Sequence, residues 1–258
     1  MRATVIPLVT CAVLAAAAVP ALAIVGGKPA PLTHGVVSLR SQLGGCTASI
    51  VSSRWVLTAA HCFPQWQDAN NDGVMTIAEG ADTVAVFGPS TAFEGTMNGH
   101  LVVRHPGGTW GKNVAIDAAL VKVNRPFRMN DLAADLYDNS VLVTSRFLKI
   151  SRRPTAELNG LTSVLMAGSS TGSPMYGVAT ILQGQAFPEG WFRTNPGLTC
   201  PGDSGGPAWG WVSGPLQPAG WYQIGIHSAS GTCGGPSMST DVATAEIRDW
   251  IIATAAAI

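Results

Sequence analysis

The residues best suited to chemistry lie in the hexapeptide Gly-Asp-Ser-Gly-Gly-Pro at positions 202–207. A serine hydroxyl becomes an effective nucleophile only when a base removes its proton and hydrogen-bond donors stabilise the resulting oxyanion. The glycines around Ser204 permit backbone angles that direct the amides of Gly202 and Ser204 towards one point. The shorter Gly-Ser-Gly alone would be interpreted as an ordinary turn. The whole hexapeptide instead indicates a nucleophilic serine beside an oxyanion hole.

A base, and a carboxylate that orients it, are available elsewhere in the chain. His61 follows an apolar, β-prone run at 50–57, so we expect it where a strand ends. Asp117 stands in an otherwise apolar, strand-like run at 116–123. A buried carboxylate is costly without a partner, and a histidine can supply one. Taken singly, His61 could instead be a packed core histidine and Asp117 a strand-end cap.

Four motifs, in order along the chain, together resemble the chymotrypsin/trypsin family of serine proteases. They are Ile-Val-Gly-Gly, Thr-Ala-Ala-His-Cys, Asp-x-Ala-Leu and Gly-Asp-Ser-Gly-Gly-Pro, at positions 24–27, 58–62, 117–120 and 202–207. The resemblance implies that Ser204 attacks the scissile carbonyl, His61 takes and later returns the proton, and Asp117 orients His61. The amides of Gly202 and Ser204 would form the oxyanion hole. The other candidate bases lie in no matching motif: His34, His100 and His105.

Residues 1–23 have the composition of a secretory signal peptide. One early charge, Arg2, precedes an Ala/Val/Leu-rich run that ends in Ala-Leu-Ala, a signature for cleavage after Ala23. A retained membrane anchor is the alternative, since the uncharged run is long enough to span a bilayer. The family resemblance implies that a free Ile24 amine inserts beside Asp203 and orders the oxyanion loop. Cleavage after Ala23 would therefore also activate a secreted, extracellular enzyme.

Composition limits the partners of this protein. Lys plus Arg and Asp plus Glu each number 15, so we expect no nucleic acid partner. After signal cleavage we also expect no membrane association, and a monomer. The resemblance implies polypeptide substrates and protein protease inhibitors as partners.

Four of the five cysteines lie outside the leader, and an even number in a secreted chain indicates disulfides. From the residues alone, three pairings of these four cysteines are open. The family resemblance selects Cys46 with Cys62 and Cys200 with Cys233. The first bridge would anchor the strand end that precedes His61.

Short β-branched or apolar runs, separated by Gly, Pro, Asn and Ser, predict an all-β protein. The runs lie at 35–39, 47–51, 83–87, 100–104, 118–123, 162–167, 177–183 and 223–226. The segment 241–258 is the exception, because Asp241 can cap a helix whose apolar residues share one face. The resemblance implies two six-stranded antiparallel Greek-key barrels and a C-terminal helix. It divides the chain into the signal peptide at 1–23, an N-terminal barrel at 24–130 and a C-terminal barrel at 131–258.

A polar segment near residue 70 is a second candidate site. It has oxygen-bearing residues at alternate positions, a glycine sixth and a carboxylate twelfth, as in an EF-hand calcium loop. The ligands would be Asp68, Asn70, Asp72 and Glu79. A polar Asn-Asp-Gly turn is the alternative. A structural Ca2+ is therefore a candidate here, while catalysis itself is expected to require no cofactor.

The residues aligned with the family's substrate pocket differ from those of trypsin. The resemblance places Leu198 at the pocket base, where trypsins have an aspartate, so a basic side chain would lack its counter-charge. His227, with the hydroxyls of Thr199 and Ser230, resembles the carboxylate-binding set of glutamyl endopeptidases. We therefore predict a preference for glutamate before the scissile bond. The full predicted pocket set is Leu198, Thr199, His227, Ser228, Ser230 and Ser237.

Three alternatives to a glutamate-preferring protease stay open from the sequence. A narrow pocket in which His227 is merely packed would favour small side chains, as in elastases. A catalytically silent, protein-binding homologue would keep the barrels, although such proteins usually lose a triad residue and none is lost here. An esterase could use the same three residues.

Overall fold

The computed structural model describes residues 23–30, 35–41, 44–63, 74–76, 84–88, 95–107, 116–128, 134–135, 142–143, 150–153, 155–158, 161–169, 173–182 and 190–257. The first eight strands are β1 (Lys28–Pro29), β2 (Val36–Ser41), β3 (Gly44–Ser52), β4 (Trp55–Thr58), β5 (Val74–Thr76), β6 (Val84–Phe87), β7 (Met97–Arg104) and β8 (Ala119–Val123). The others are β9 (Ala134–Asp135), β10 (Leu142–Val143), β11 (Ser163–Gly168), β12 (Met175–Ile181), β13 (Trp191–Asn195), β14 (Pro207–Gly214), β15 (Gln217–Ser230) and β16 (Ser237–Asp241). Short 3₁₀ helices lie at Ala60–Cys62 and Thr155–Glu157, and α1 is Ala245–Ala257. Within these ranges no helix is long and apolar enough to cross a membrane.

Two closed antiparallel barrels form the molecule. In the first, the neighbours follow the order β7-β6-β2-β3-β4-β8, and β8 closes the ring on β7. In the second, the order is β12-β11-β14-β15-β16-β13, and β13 closes the ring on β12. β5 extends the first sheet beside β7, and β1 extends the second beside β12. The predicted pair of six-stranded barrels with a C-terminal helix is confirmed.

Alternation along the strands of the first barrel separates its interior from the surface that receives α1. In β4, Val56 belongs to the barrel interior, whereas Trp55 and Leu57 lie on the opposite face. Ile247 and Ile251 of α1 pack in the same cluster as Trp55 and Leu57. The terminal helix therefore follows the second barrel in sequence but covers the first. Burial of each such side chain stabilises the fold by roughly 1.5–3 kcal/mol.

The structure corrects two details of the sequence prediction. The helix begins at Ala245, because Asp241 is the last residue of β16, where it pairs with Gly225. The run at 50–57 is two strands, since a turn at Ser53 and Arg54 separates β3 from β4. Each of the eight predicted strand runs nevertheless overlaps an observed strand.

Candidate active site

The ends of two paired strands bring His61 and Asp117 together. β4 and β8 are antiparallel, with Thr58 opposite Ala119, so the residues just beyond these positions are neighbours. Asp117 Oδ2 lies 2.6 Å from His61 Nδ1, and its Oδ1 accepts the His61 backbone N–H at 2.9 Å. Because a carboxylate only accepts hydrogen bonds, Nδ1 holds the proton. The Nε2 of the neutral ring is then left as a base.

A third hydrogen bond completes the surroundings of Asp117. The Ser228 hydroxyl donates to Asp117 Oδ2 at 2.6 Å. Burial by itself would raise the pKa of Asp117, but the hydrogen bonds and charge of His61, together with the Ser228 bond, outweigh it. The pKa of Asp117 therefore lies below its ordinary value, and the carboxylate is ionised at neutral pH. Ser228, predicted from sequence as a pocket residue, thus contacts the buried aspartate.

A β-bulge explains how Ser228 reaches Asp117. Between β15 and β16, His227 pairs with Ser239 and Ala229 with Met238, which leaves Ser228 as an extra residue. Such an extra residue bends its strand and redirects its side chain. The bulge depends on the register of β16, so no signal in the sequence around Ser228 could have identified this role.

The loop with Ser204 is held against the first barrel. Thr47 donates its amide to the Ser204 carbonyl at 2.8 Å and its hydroxyl to the Gly202 carbonyl at 2.9 Å. Gly205 has a φ of 82°, and a Cβ there would overlap the side chain of Thr58. Glycine is therefore required at this close approach. Since Thr58 ends the strand that precedes His61, the serine loop lies directly against the segment with the histidine.

The amides of the serine loop divide into two groups. Those of Asp203, Gly205 and Gly206 donate to backbone carbonyls at 2.8–3.0 Å. These three bonds fix the curvature of the loop, and Gly202 adopts a φ of 96° within it. The amides of Gly202 and Ser204 are the other two between 202 and 206, and they are the pair predicted from sequence to bind the oxyanion.

Two disulfides brace this region. One joins Cys46 to Cys62, the residue after His61, and the other joins Cys200 to Cys233. These are the pairings that the family resemblance implies. The first closes a short loop and should stabilise the fold by roughly 3 kcal/mol in the chain-entropy model. Within the described ranges, the residues grouped like metal ligands are Cys46, His61 and Cys62, but both sulfurs belong to the disulfide.

The predicted activation residues, Ile24 and Asp203, are both fully buried. Ile24 forms an isolated antiparallel bridge with Thr199. Asp203 Oδ2 accepts the Cys200 amide at 2.9 Å, and a Cβ on Gly168 would overlap the Asp203 carboxylate. Both residues therefore contact the short segment that leads into the serine loop.

Three predicted pocket hydroxyls lie near one another. Thr199 Oγ1 and Ser237 Oγ are 2.8 Å apart, both residues are fully buried, and Ser230 stands opposite Ser237 in the β15–β16 ladder. Thr199 and Ser237 thus hydrogen-bond to each other. Leu198 packs against the second-barrel core beside Gly177.

His227 is the most unusual residue of the predicted pocket. It is 2% exposed, and its Nδ1 has no hydrogen-bond partner among the described residues. Burial and the charge of His61 lower the pKa of His227, whereas the charge of Asp117 and a hydrogen bond to the Met238 backbone raise it. The lowering effects are larger, so the pKa of His227 is about 3. The imidazole is therefore neutral at ordinary pH. Ser239, directly opposite, is also fully buried, and its hydroxyl has no hydrogen-bond partner in the ranges that the structure describes. The sequence does not identify this residue.

The remaining candidate histidines have other surroundings. His105 packs edge-to-face on Trp250 at 5.1 Å, and its Nδ1 accepts the Gly107 amide at 3.1 Å, so it joins the first barrel to α1. His100 lies on β7 and has a pKa lowered by burial and by nearby positive side chains. Outside the described residues lie His34 and the four predicted calcium ligands, Asp68, Asn70, Asp72 and Glu79.

A comparison with protein-family models agrees with this arrangement. The model of the Trypsin family matches residues 24–251, which include both barrels and most of α1. The match also spans the three residues whose surroundings are described above, at 61, 117 and 204. The chain therefore belongs to the trypsin family of serine-type peptidases.

Proposed function

We propose that this protein is a serine endopeptidase in which Ser204, His61 and Asp117 form the catalytic triad. Ser204 Oγ attacks the scissile carbonyl, while His61 Nε2 accepts its proton and passes it to the leaving amine. Water then hydrolyses the acyl-enzyme by the same proton path in reverse. The observation that best supports this proposal is the set of three hydrogen bonds on Asp117, which keep it ionised and fix the His61 tautomer.

The oxyanion of the tetrahedral intermediate would be bound by the amides of Gly202 and Ser204. The other amides of the loop hold its shape, so these two donors are positioned before substrate arrives. Preorganised donors of this kind contribute about 10²–10³ each to turnover.

Activation would follow from removal of residues 1–23 during secretion. The buried contacts of Ile24 with Thr199, and of Asp203 with Cys200, support insertion of a new Ile24 amine beside this loop. Ala23 is also fully buried, so we expect cleavage before the chain completes this packing. The two disulfides are typical of secreted proteins. Secreted active protein should begin Ile-Val-Gly-Gly on terminal sequencing, and a start at Leu22 or earlier would contradict this route.

Casein hydrolysis with and without a serine-directed phosphonate tests the proposed activity. We expect inhibited wild type and Ser204→Ala to lose turnover, while Ser213→Ala, at an exposed serine on β14, keeps it. Cleavage of ester substrates but not of casein would indicate an esterase. A folded protein that cleaves neither would indicate a binding homologue.

Within this activity, we propose glutamate as the preferred residue before the scissile bond. Support comes from His227, whose Nδ1 has no hydrogen-bond partner within the described part of the chain, and from Leu198, which offers no counter-charge to a basic side chain. Hydrogen bonds to a charged group contribute roughly 1.5–3 kcal/mol each, so glutamate should exceed glutamine by at least about tenfold. The mutual bond of Thr199 and Ser237 favours the second candidate, a preference for small side chains. A peptide library tested on wild type and His227→Ala separates the two.

A further inference from the structure

His227 and Ser239 form a buried polar pair in the second barrel. They stand directly opposite each other on β15 and β16, so their side chains share one face of the sheet. His227 Nδ1 and Ser239 Oγ are both buried without a hydrogen-bond partner among the described residues. Buried polar atoms in folded proteins nearly always have partners, so two adjacent exceptions require an explanation.

The hydrogen-bond inventory of His227 limits what it can bind. A hydrogen bond between the ring and the backbone of Met238 raises the pKa of His227. A bond that stabilises the protonated ring is one in which the ring donates, so the Met238 carbonyl accepts a ring N–H. A neutral imidazole has one N–H, which is thereby used, and its other nitrogen offers only a lone pair. A carboxylate has no proton to donate, so it cannot hydrogen-bond to this nitrogen while the ring is neutral. The hydrogen bond can form only if the nitrogen gains a proton and becomes a donor.

We propose that the specificity pocket binds a glutamate side chain together with one proton, which His227 takes up, while the Ser239 hydroxyl donates to the same carboxylate. This inference rests on the proposed protease function and on its glutamate preference. It assigns Ser239, beside His227, as a specificity-determining residue. The proton comes from solvent and returns to solvent when the product leaves.

The charged groups around His227 are consistent with proton uptake only on binding. Asp117 favours a proton on His227, whereas a charged His61 opposes it. In the form that can start catalysis, His61 is neutral and acts as the base, so burial is the main obstacle to protonation. The facing residues of β16, Met238 and Ser239, have no charge. An entering carboxylate offsets the cost of burial, because an opposite charge nearby favours the charged imidazole.

Glutamine provides the matched comparison for glutamate. Its side-chain amide has nearly the same shape and can donate directly to the lone pair of neutral His227. Glutamine therefore binds without a proton, and glutamate with one. Because kcat/KM reports the ionisation of the free enzyme and the free substrate, the ratio of kcat/KM for the two substrates should fall by about tenfold per pH unit once the pH exceeds the pKa values of free His227 and of the free glutamate side chain. Any effect of pH on the catalytic residues acts on both substrates and cancels in the ratio.

The experiment measures kcat/KM for peptides that differ only in Glu, Gln or Ala before the scissile bond, across the pH range in which the enzyme is folded. Wild type should show the falling Glu-to-Gln ratio. His227→Gln supplies a permanent amide donor, so its ratio should not change with pH. Ser239→Ala should lower kcat/KM for the Glu peptide by about tenfold, mainly through KM. Ser239→Thr should restore it, and the Ala peptide reports whether each variant remains intact.

A Glu-to-Gln ratio of kcat/KM that falls with increasing pH in wild type, and that is independent of pH in His227→Gln, supports the proposal. Glutamate preference with a ratio independent of pH overturns proton uptake but leaves the glutamate preference standing. Equal cleavage of Glu and Gln peptides at every pH overturns both, and leaves the protease function standing. If no peptide is cleaved and a serine-directed phosphonate does not label Ser204, the proposed function itself is wrong.

Discussion

Asp117 lies just before β8 and Asp241 is the last residue of β16, and both are buried, yet their pKa values move in opposite directions. Asp117 accepts hydrogen bonds from His61 and Ser228, and its pKa is lowered. Asp241 accepts the uncharged amides of Thr155 at 2.6 Å and Ala243 at 3.0 Å. Burial outweighs these bonds and raises the pKa of Asp241 to about 6. Burial alone therefore does not make a catalytic carboxylate, and a partner that can take positive charge decides which way the pKa moves.

The largest expected difference between the two aspartates is in turnover. Asp117→Asn keeps the shape of the side chain but can hold His61 in the wrong tautomer, which in Ser-His-Asp enzymes lowers kcat by about 10⁴. Asp241→Asn should leave kcat within about twofold, because Asp241 contacts the 155–157 turn and the start of α1 rather than the triad. Steady-state peptide hydrolysis at neutral pH measures both. Similar losses in the two variants would remove the distinction between them.

A second difference lies in the sign of the pH dependence of stability. Asp241 has a folded pKa of about 6 against an ordinary value of 3.8, so the folded state binds the proton more tightly. Its stabilising contribution is full below about pH 4 and is lost as pH rises through about 6. Asn does not titrate, so the free energy of unfolding of Asp241→Asn should rise by about 3 kcal/mol relative to that of wild type as the pH increases from below about 4 to above about 6. Asp117, with its lowered pKa, contributes in the opposite sense, and this contribution is lost as pH falls.

Denaturant unfolding at about pH 4 and about pH 7 measures the free energy of unfolding of wild type and Asp241→Asn. A constant difference between the two proteins at both pH values would show that Asp241 has the same pKa in the folded and unfolded chain. Inhibition by a serine-directed phosphonate before unfolding ensures that autolysis does not distort the curves.

The same two residues show what the sequence can and cannot predict. The sequence predicts the position of Asp117 because its motif is local and occurs in order with three others, and the same resemblance implies the two barrels. The prediction of Asp241 as a helix cap is wrong, because its partner Thr155 lies 86 residues away in sequence. The Ser228 contact depends on a bulge and the Ser239 pairing on strand register, neither of which is encoded in nearby residues.

Ser228 provides a smaller, more specific test of the Asp117 environment. Ser228→Ala removes one donor from the carboxylate, so the pKa of Asp117 should rise and kcat/KM should fall by about tenfold or more. The acidic limb of the pH–rate profile should also move, which a purely structural loss would not cause. Ser213→Ala serves as the control, since Ser213 is exposed on β14. A reduced rate with an unmoved profile would assign Ser228 to packing alone.

The smallest expected effect concerns the charge beside Asp241. Glu157 is exposed, and its negative charge contributes to the raised pKa of Asp241. Glu157→Gln removes that charge while the amides of Thr155 and Ala243 stay in place, so the pKa of Asp241 should fall below about 6 but remain above its ordinary value. Burial, the larger cause, is unchanged by the substitution.

The carboxyl resonance of Asp241, followed by ¹³C NMR through the acidic range, measures the midpoint of its titration directly. Because exposed charges are screened by salt, the shift between wild type and Glu157→Gln should shrink as ionic strength increases. An Asp241 midpoint that does not move at low salt would mean that burial alone raises the pKa of Asp241.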